Sequence, residues 1–209
     1  MPQTAPPARS TPASTAGPTL NLPNPRHAAR VPAHLDKEQV ARIRQAASQP
    51  LALAGHDLIA QARTGSGKTA AFALALLANL NPRRFAVQAL VLCPTRELAD
   101  QVTQEVRRLA RAEDHIKVLT LCGGATMRPQ LASLEHGAHI VVGTPGRIMD
   151  HLERGSLQLD ALNTLVLDEA DRMLDMGFFD DIATVARACP SDRQTLLFSA
   201  SRFSMEATA

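Results

Sequence analysis

The chain has 209 residues, enough for one sizeable hydrophobic core. Apolar residues make up 45% and charged residues 20%, which excludes a fibrous chain or one disordered throughout. Aromatics are 3%, with no Trp or Tyr, and the net charge is +2; this excludes a row of base-stacking platforms, and the charge alone argues for no polyanionic partner.

Residues 1–32 hold 8 of the 14 prolines and no acidic residue, with Arg9, Arg26 and Arg30 as their cations. Such a segment buries too little apolar surface to offset the entropy of ordering it. Residues 1–34 are therefore expected to form a disordered Pro/Ala/Ser/Thr-rich tail, and residues 35–205 the folded domain. An organelle-targeting peptide is the alternative, but scattered prolines spoil the amphipathic helix it needs. No apolar run approaches the roughly 18 residues of a membrane span, and no hydrophobic stretch at the N-terminus resembles a secretory signal. The expectation is a cytoplasmic protein with no membrane partner. Cys93, Cys122 and Cys189 lack CxxC spacing and read as small buried thiols.

Asp36 is placed to cap a helix running to about Ala47, with Val40, Ile43 and Ala47 on one face. Short runs rich in Val, Ile and Leu then recur at 57–60, 89–93, 117–121, 139–142, 164–167 and 195–198, as expected of strands buried on both faces. Amphipathic segments near 68–79, 96–112, 126–135, 146–154 and 178–188 lie between them. This alternation predicts an α/β fold, a parallel sheet with helices on both faces. Ligands of such sheets bind beyond the carboxyl ends of the strands, so the strand-to-helix turns should carry the chemistry.

The first of these turns reads Ala62-Arg63-Thr64-Gly65-Ser66-Gly67-Lys68-Thr69. Its glycines let consecutive backbone N–H groups converge on phosphate oxygens, and the helix that begins there adds its N-terminal dipole. Lys68 is placed to reach the β- and γ-phosphates and the Thr69 hydroxyl to ligate Mg²⁺. The plain alternative is a Gly/Ser loop that only caps a helix. The pattern departs from the generic P-loop at Ala62, where a glycine is usual. A P-loop needs a second acidic site, and the run Thr164-Leu165-Val166-Leu167-Asp168-Glu169 supplies one. Asp168 would hold Mg²⁺, and Glu169 would orient and deprotonate an attacking water. Taken alone, the acidic pair could equally cap the next helix.

The tetrapeptide Asp168-Glu169-Ala170-Asp171 resembles the signature of the DEAD-box ATP-dependent RNA helicases. Pro94-Thr95-Arg96-Glu97-Leu98-Ala99, Gly123-Gly124, Thr144-Pro145-Gly146-Arg147 and Ser199-Ala200-Ser201 resemble other motifs of that family, in its order and spacing. That family commonly begins its P-loop with Ala, which accounts for Ala62. The likeness covers residues 45–201 and is closest to bacterial DbpA-type enzymes, which act on large-subunit ribosomal RNA.

The resemblance implies a RecA-like P-loop NTPase domain that uses ATP and Mg²⁺ and binds RNA, with hydrolysis coupled to RNA remodelling. It implies RNA contacts at Pro94, Thr95, Arg96, Glu97, Gly123, Gly124, Thr144, Pro145, Gly146 and Arg147. It also implies coupling through Asp171, Ser199, Ala200 and Ser201. Arg96 and Arg147 are expected to grip phosphates, whereas Arg107, Arg108 and Arg111 read as a solvated helix face.

Three departures qualify the likeness. Gln45 falls where the family reads adenine, but the Thr-Pro and the isolated aromatic before it are absent. Ser201 replaces a Thr. Residues 202–209 do not resemble the family's continuation, so a second RecA-like lobe, with its arginine fingers, is expected to be missing. The competing expectations are a helicase lobe, a nucleotide- and RNA-binding module with little activity of its own, and an unrelated P-loop kinase, against which the RNA motifs argue.

Overall fold

The computed structural model describes residues 50–61, 68–111 and 115–200. The tail, the helix expected after Asp36, Gln45, residues 62–67 and Ser201 lie outside the described residues. Each turn of the alternating sequence becomes one strand or one helix, in the order α1 (Pro50–Leu53), β1 (Leu58–Gln61), α2 (Lys68–Ala78), β2 (Ala89–Leu92), α3 (Arg96–Ala110), β3 (Val118–Leu121), α4 (Met127–Glu135), β4 (Ile140–Gly143), α5 (Pro145–Glu153), β5 (Thr164–Leu167), α6 (Ala170–Asp175), α7 (Phe179–Ala188) and β6 (Gln194–Ser199). All strand pairs are parallel, and the sheet order is β1-β6-β5-β2-β4-β3. The α/β expectation holds, with every predicted strand within a residue or so of its place.

The period-two pleat divides each strand between two cores. Ala89, Val91, Ile140, Val142, Val166, Leu196 and Phe198 face one core, shared with α2 and α3 through Phe72, Leu76, Val102, Val106 and Leu109. Leu90, Leu92, Val141, Leu165 and Leu167 face the other, covered by α5, α6 and α7 through Ile148, Met173 and Val185. Strands β2, β4 and β5 are buried along their whole length, which is why they read as unbroken Val/Ile/Leu runs. The first core is not purely aliphatic: Phe72 and Phe198 pack with ring centroids 5.4 Å apart. All three cysteines are free and buried, as expected. Burial pushes the thiols of Cys122 and Cys189 up to about 11.

A polar belt closes the amino-terminal ends of the strands. Gln194 Nε2 donates to Ala52 O (2.8 Å) and His56 O (2.7 Å), and Asn163 Nδ2 donates to Asn79 O (3.0 Å). Lys117 N donates to His139 Nδ1 at 3.0 Å. That makes Nε2 the protonated nitrogen, donating to Pro82 O at 3.1 Å. His139 is fully buried and stacks on Phe85 (4.9 Å between centroids). Its proton affinity is pushed down by burial, an effect that the Pro82 carbonyl opposes and Lys117 reinforces. Ligands of parallel sheets of this kind bind beyond the carboxyl ends of the strands. No helix among the described residues is long and apolar enough to cross a membrane.

Candidate nucleotide and RNA site

Two arrays of residues stand at the carboxyl ends of the strands. The first is built where β1 and β5 end. Lys68 is the first residue of α2, and Asp168 follows β5, its backbone N–H donating to Leu92 O at 2.9 Å. Lys68 Nζ lies 3.3 Å from Asp168 Oδ1 and 3.9 Å from Glu169 Oε1. Both members of the closer pair are buried, Lys68 at 7% exposure and Asp168 at 0%. Among the described residues neither Lys68 Nζ nor either Asp168 oxygen has a hydrogen-bond partner. Buried charges without hydrogen bonds are costly. Burial raises the Asp168 carboxyl above the usual carboxylate range, and Lys68 counters part of that rise. Beside it, burial and the Asp168 charge push the Cys93 thiol well above its ordinary value.

Glu169 adopts the left-handed conformation, φ 53° and ψ 50°. For a residue with a Cβ this costs about 1–2 kcal/mol, the kind of strain that gathers at functional turns. The turn aims its carboxylate at Lys68 on one side and at Arg172 on the other, 3.4 Å from Arg172 Nη1. Glu169 also stands at the N-cap of α6, but its side chain makes no cap hydrogen bond. The simple helix-capping reading of the acidic pair is thus not what its side chain does. Asp171, one turn on, accepts a hydrogen bond at Oδ2 from the backbone N–H of Ala200 (3.1 Å). That bond joins two of the four residues read as coupling. Thr69 follows Lys68 into α2 and is half-buried.

The second array follows β2, β3 and β4, which form one edge half of the sheet. Thr95 caps α3, its hydroxyl accepting from Leu98 N at 3.3 Å, so this hydroxyl is engaged. Glu97 lies on the exposed first turn, its carboxyl held below the usual range by its own backbone N–H and by Thr95. Thr144 caps α5 without a side-chain cap bond, and Pro145 is the buried first residue of that helix. Gly143 before it is required: a Cβ there would lie 2.4 Å from Leu121 O. Gly124 has φ +74°, and a Cβ on it would lie 2.3 Å from Arg96 Nη1. The exposed Arg96 therefore lies across the Gly123-Gly124 turn.

Arg147 does not share that exposure. Its side chain is 11% exposed and turned inward. Nη1 and Nη2 both donate to Ala125 O at 3.1 Å, Nη1 also donates to Gln130 Oε1 at 3.0 Å, and Nε faces Asp150 Oδ2 at 3.3 Å. A guanidinium with these partners braces the glycine turn. Arg107 also departs from a purely solvated face: its Nη2 donates to Val118 O at 2.8 Å and ties α3 to β3. Arg108 pairs with Glu105 within α3, as a solvated face does, and Arg111 is exposed. Gly143, Arg172 and Gln130 escaped sequence reasoning. A glycine closing a β-rich run just before Thr-Pro-Gly-Arg was the readable signal for the first, and single polar residues inside helices gave none for the others.

The sequence model of the DEAD/DEAH box helicase family matches residues 42–207. The chain is 63% identical over 156 residues to the ATP-dependent RNA helicase DbpA of Escherichia coli, covering 75% of this chain and 34% of that protein. It is 54% identical over 151 residues to the ATP-dependent RNA helicase CshA of Listeria monocytogenes, covering 72% of this chain and 29% of that protein. The fold matches a solved DEAD box protein from the hyperthermophile Methanococcus jannaschii with a TM-score of 0.70 and 41% identity, covering 81% of this chain and 49% of that one. The chain thus spans about a third of the length of these curated relatives. With the family model matching most of its length, and with Lys68, Asp168 and Glu169 gathered at the strand ends, the chain belongs to the DEAD/DEAH box helicase family.

Proposed function

We propose that this chain is the ATP-binding lobe of an ATP-dependent RNA helicase, with the strand ends of β1 and β5 as its nucleotide site and those of β2, β3 and β4 as its RNA edge. One observation carries the reading: the buried ammonium of Lys68 and the buried carboxylate of Asp168 face each other without hydrogen bonds among the described residues. A triphosphate with a divalent cation is the ligand that satisfies both, the phosphates taking Lys68 and the cation taking Asp168 and the Thr69 hydroxyl. Mg²⁺ held there would supply charge neutralisation of the phosphates. Glu169, with its carboxylate aimed into the same place, would orient and deprotonate the attacking water. Residues 62–67 would complete the phosphate cradle and Gln45 would read the adenine. Asp171, Ser199, Ala200 and Ser201 would couple the two sites. Along the RNA edge, Pro94, Thr95, Arg96, Glu97, Gly123, Gly124, Thr144, Pro145, Gly146 and Arg147 would follow the backbone of a single strand, with ribosomal RNA as the target class and little preference for base sequence.

ATP turnover by the chain, with and without single-stranded RNA, tests this beside Lys68→Ala and Glu169→Gln. RNA-stimulated turnover lost in both variants supports a lobe active on its own. Nucleotide and RNA binding without turnover places this chain as a binding module that hydrolyses only within a longer protein. Failure of the wild-type chain to bind ATP·Mg²⁺ overturns the proposal.

A further inference from the structure

Buried behind the glycine turn is a set of side chains to which none of the motifs assigns a role. His151 lies on the inner face of α5 with no exposure to solvent. Its Nε2 is 3.0 Å from Gln130 Oε1, and its Nδ1 is 2.8 Å from Ser156 Oγ. Gln130 is engaged at both ends of its amide: Nε2 donates to Cys122 O at 3.0 Å, while Oε1 takes Arg147 Nη1 at 3.0 Å. These partners fix which end of the amide is oxygen, so His151 Nε2 must be the donor to it. Burial and Arg147 lower the ring's proton affinity, and Nδ1 faces the Ser156 hydroxyl, which itself donates to His151 O at 3.1 Å.

The consequence falls on the backbone. Gln130 holds the carbonyl of Cys122, just before Gly123-Gly124, and Arg147 holds the carbonyl of Ala125, just after them. The turn is clamped at both ends, and Gln130 joins the two clamps through its own amide. A turn with a glycine at φ +74° has no side chains of its own to fix it.

We propose that Gln130 and His151 are positioning residues for RNA binding: through Arg147 and Cys122 O they hold the Gly123-Gly124 turn and Arg96 in the arrangement that takes the RNA backbone. This rests on the proposed RNA edge. Neither Gln130 nor His151 needs to touch RNA itself.

The test is binding of a fluorescently labelled ten-nucleotide single-stranded RNA to the full 209-residue chain, with a fluorescent ATP analogue measured in parallel and thermal melting of every variant. Gln130→Ala and His151→Leu should each weaken RNA binding about fivefold, the effect of one net hydrogen bond, and leave nucleotide affinity unchanged. His151→Gln keeps a donor at the place of Nε2 and should restore RNA binding, which simple core filling by Leu would not. Adding Gln130→Ala to Arg147→Ala should cost little further affinity, because both act on the same turn. Full additivity, or wild-type RNA binding by Gln130→Ala, overturns the positioning role. If His151→Leu does not fold, Gln130→Ala and His151→Gln decide the matter. Arg96→Ala separates the two levels. If it leaves RNA binding intact, the RNA edge itself is wrong and both ideas fall; if it weakens binding while Gln130→Ala does not, only the positioning role falls.

Discussion

Lys68 Nζ stands 3.3 Å from Asp168 Oδ1, although the strands that deliver the two residues, β1 and β5, are separated in the sheet by β6. Breaking a buried pair from one side leaves an uncompensated charge. Lys68→Ala should therefore destabilise the fold by about 3 kcal/mol at neutral pH. The Asp168 carboxyl is already raised by burial and loses its counter-charge, so the cost should shrink as pH is lowered and the carboxyl takes a proton. Adding Asp168→Asn should recover most of the stability without recovering ATP binding. Chemical denaturation of the three variants at two pH values checks this.

Glu169 carries a backbone penalty that a glycine would not. At φ 53° the left-handed conformation costs a residue with a Cβ about 1–2 kcal/mol, against about 0.5–1 kcal/mol of extra chain entropy for Gly. Glu169→Gly should be more stable than Glu169→Ala by about 1 kcal/mol, with both inactive in ATP turnover. Equal denaturation midpoints for the two would mean that the turn is not held left-handed in solution.

Gly124→Ala should be harmful twice over. The residue keeps φ +74° at a cost of about 1–2 kcal/mol, and its new Cβ meets Arg96 Nη1, which must swing aside. A lower melting temperature accompanied by weaker RNA binding is the expected result, with ATP affinity unchanged. Gly146→Ala is the contrasting case, since a Cβ there meets nothing within 4 Å.

His139 ties stability to pH. Its ring is held neutral, with a proton affinity lowered from the ordinary 6.5, so the unfolded chain takes up the proton first. Its contribution is fully present above pH 6.5 and is lost as pH falls through that value towards the folded one. The non-titrating His139→Asn should cost about 1–3 kcal/mol at pH 7.5 through its lost buried hydrogen bonds. Its melting temperature should nevertheless fall less than the wild type's between pH 7.5 and 5.5. An equal or steeper fall would show that His139 is not the titrating group.

The architecture was legible because burial on both faces leaves a plain mark: β2, β4 and β5 are unbroken aliphatic runs, and the helices after β2 and β4 start with a cap or a proline. The four-residue α1 and six-residue α6 went unread, being too short to show a period of 3.6. The acidic pair after β5 and the lysine of the phosphate turn were legible as residue types, and the fold brings them together. Arg147 shows where such reading stops. The cation in an RNA-like motif is legible, whereas its bonds to Ala125 O and Gln130 Oε1 depend on groups that only the fold brings beside it. Gln130 and His151 lie on different helices, α4 and α5, and only the fold brings them within hydrogen-bonding distance.

The sheet order has a consequence for how the chain is made. Among the described strands β1 is hydrogen-bonded to β6 alone, and β6 follows the other five in chain order. Until residues 194–199 leave the ribosome, β1 has no neighbour and α2 has no completed face for Phe72 to meet Phe198. The edge formed by β2, β4 and β3 needs nothing from the end of the chain and can assemble earlier. The half of the sheet bearing Lys68 therefore closes only once β6 has emerged, and an interruption of synthesis before β6 would leave the β2-β4-β3 edge built and the Lys68–Asp168 pair unmade.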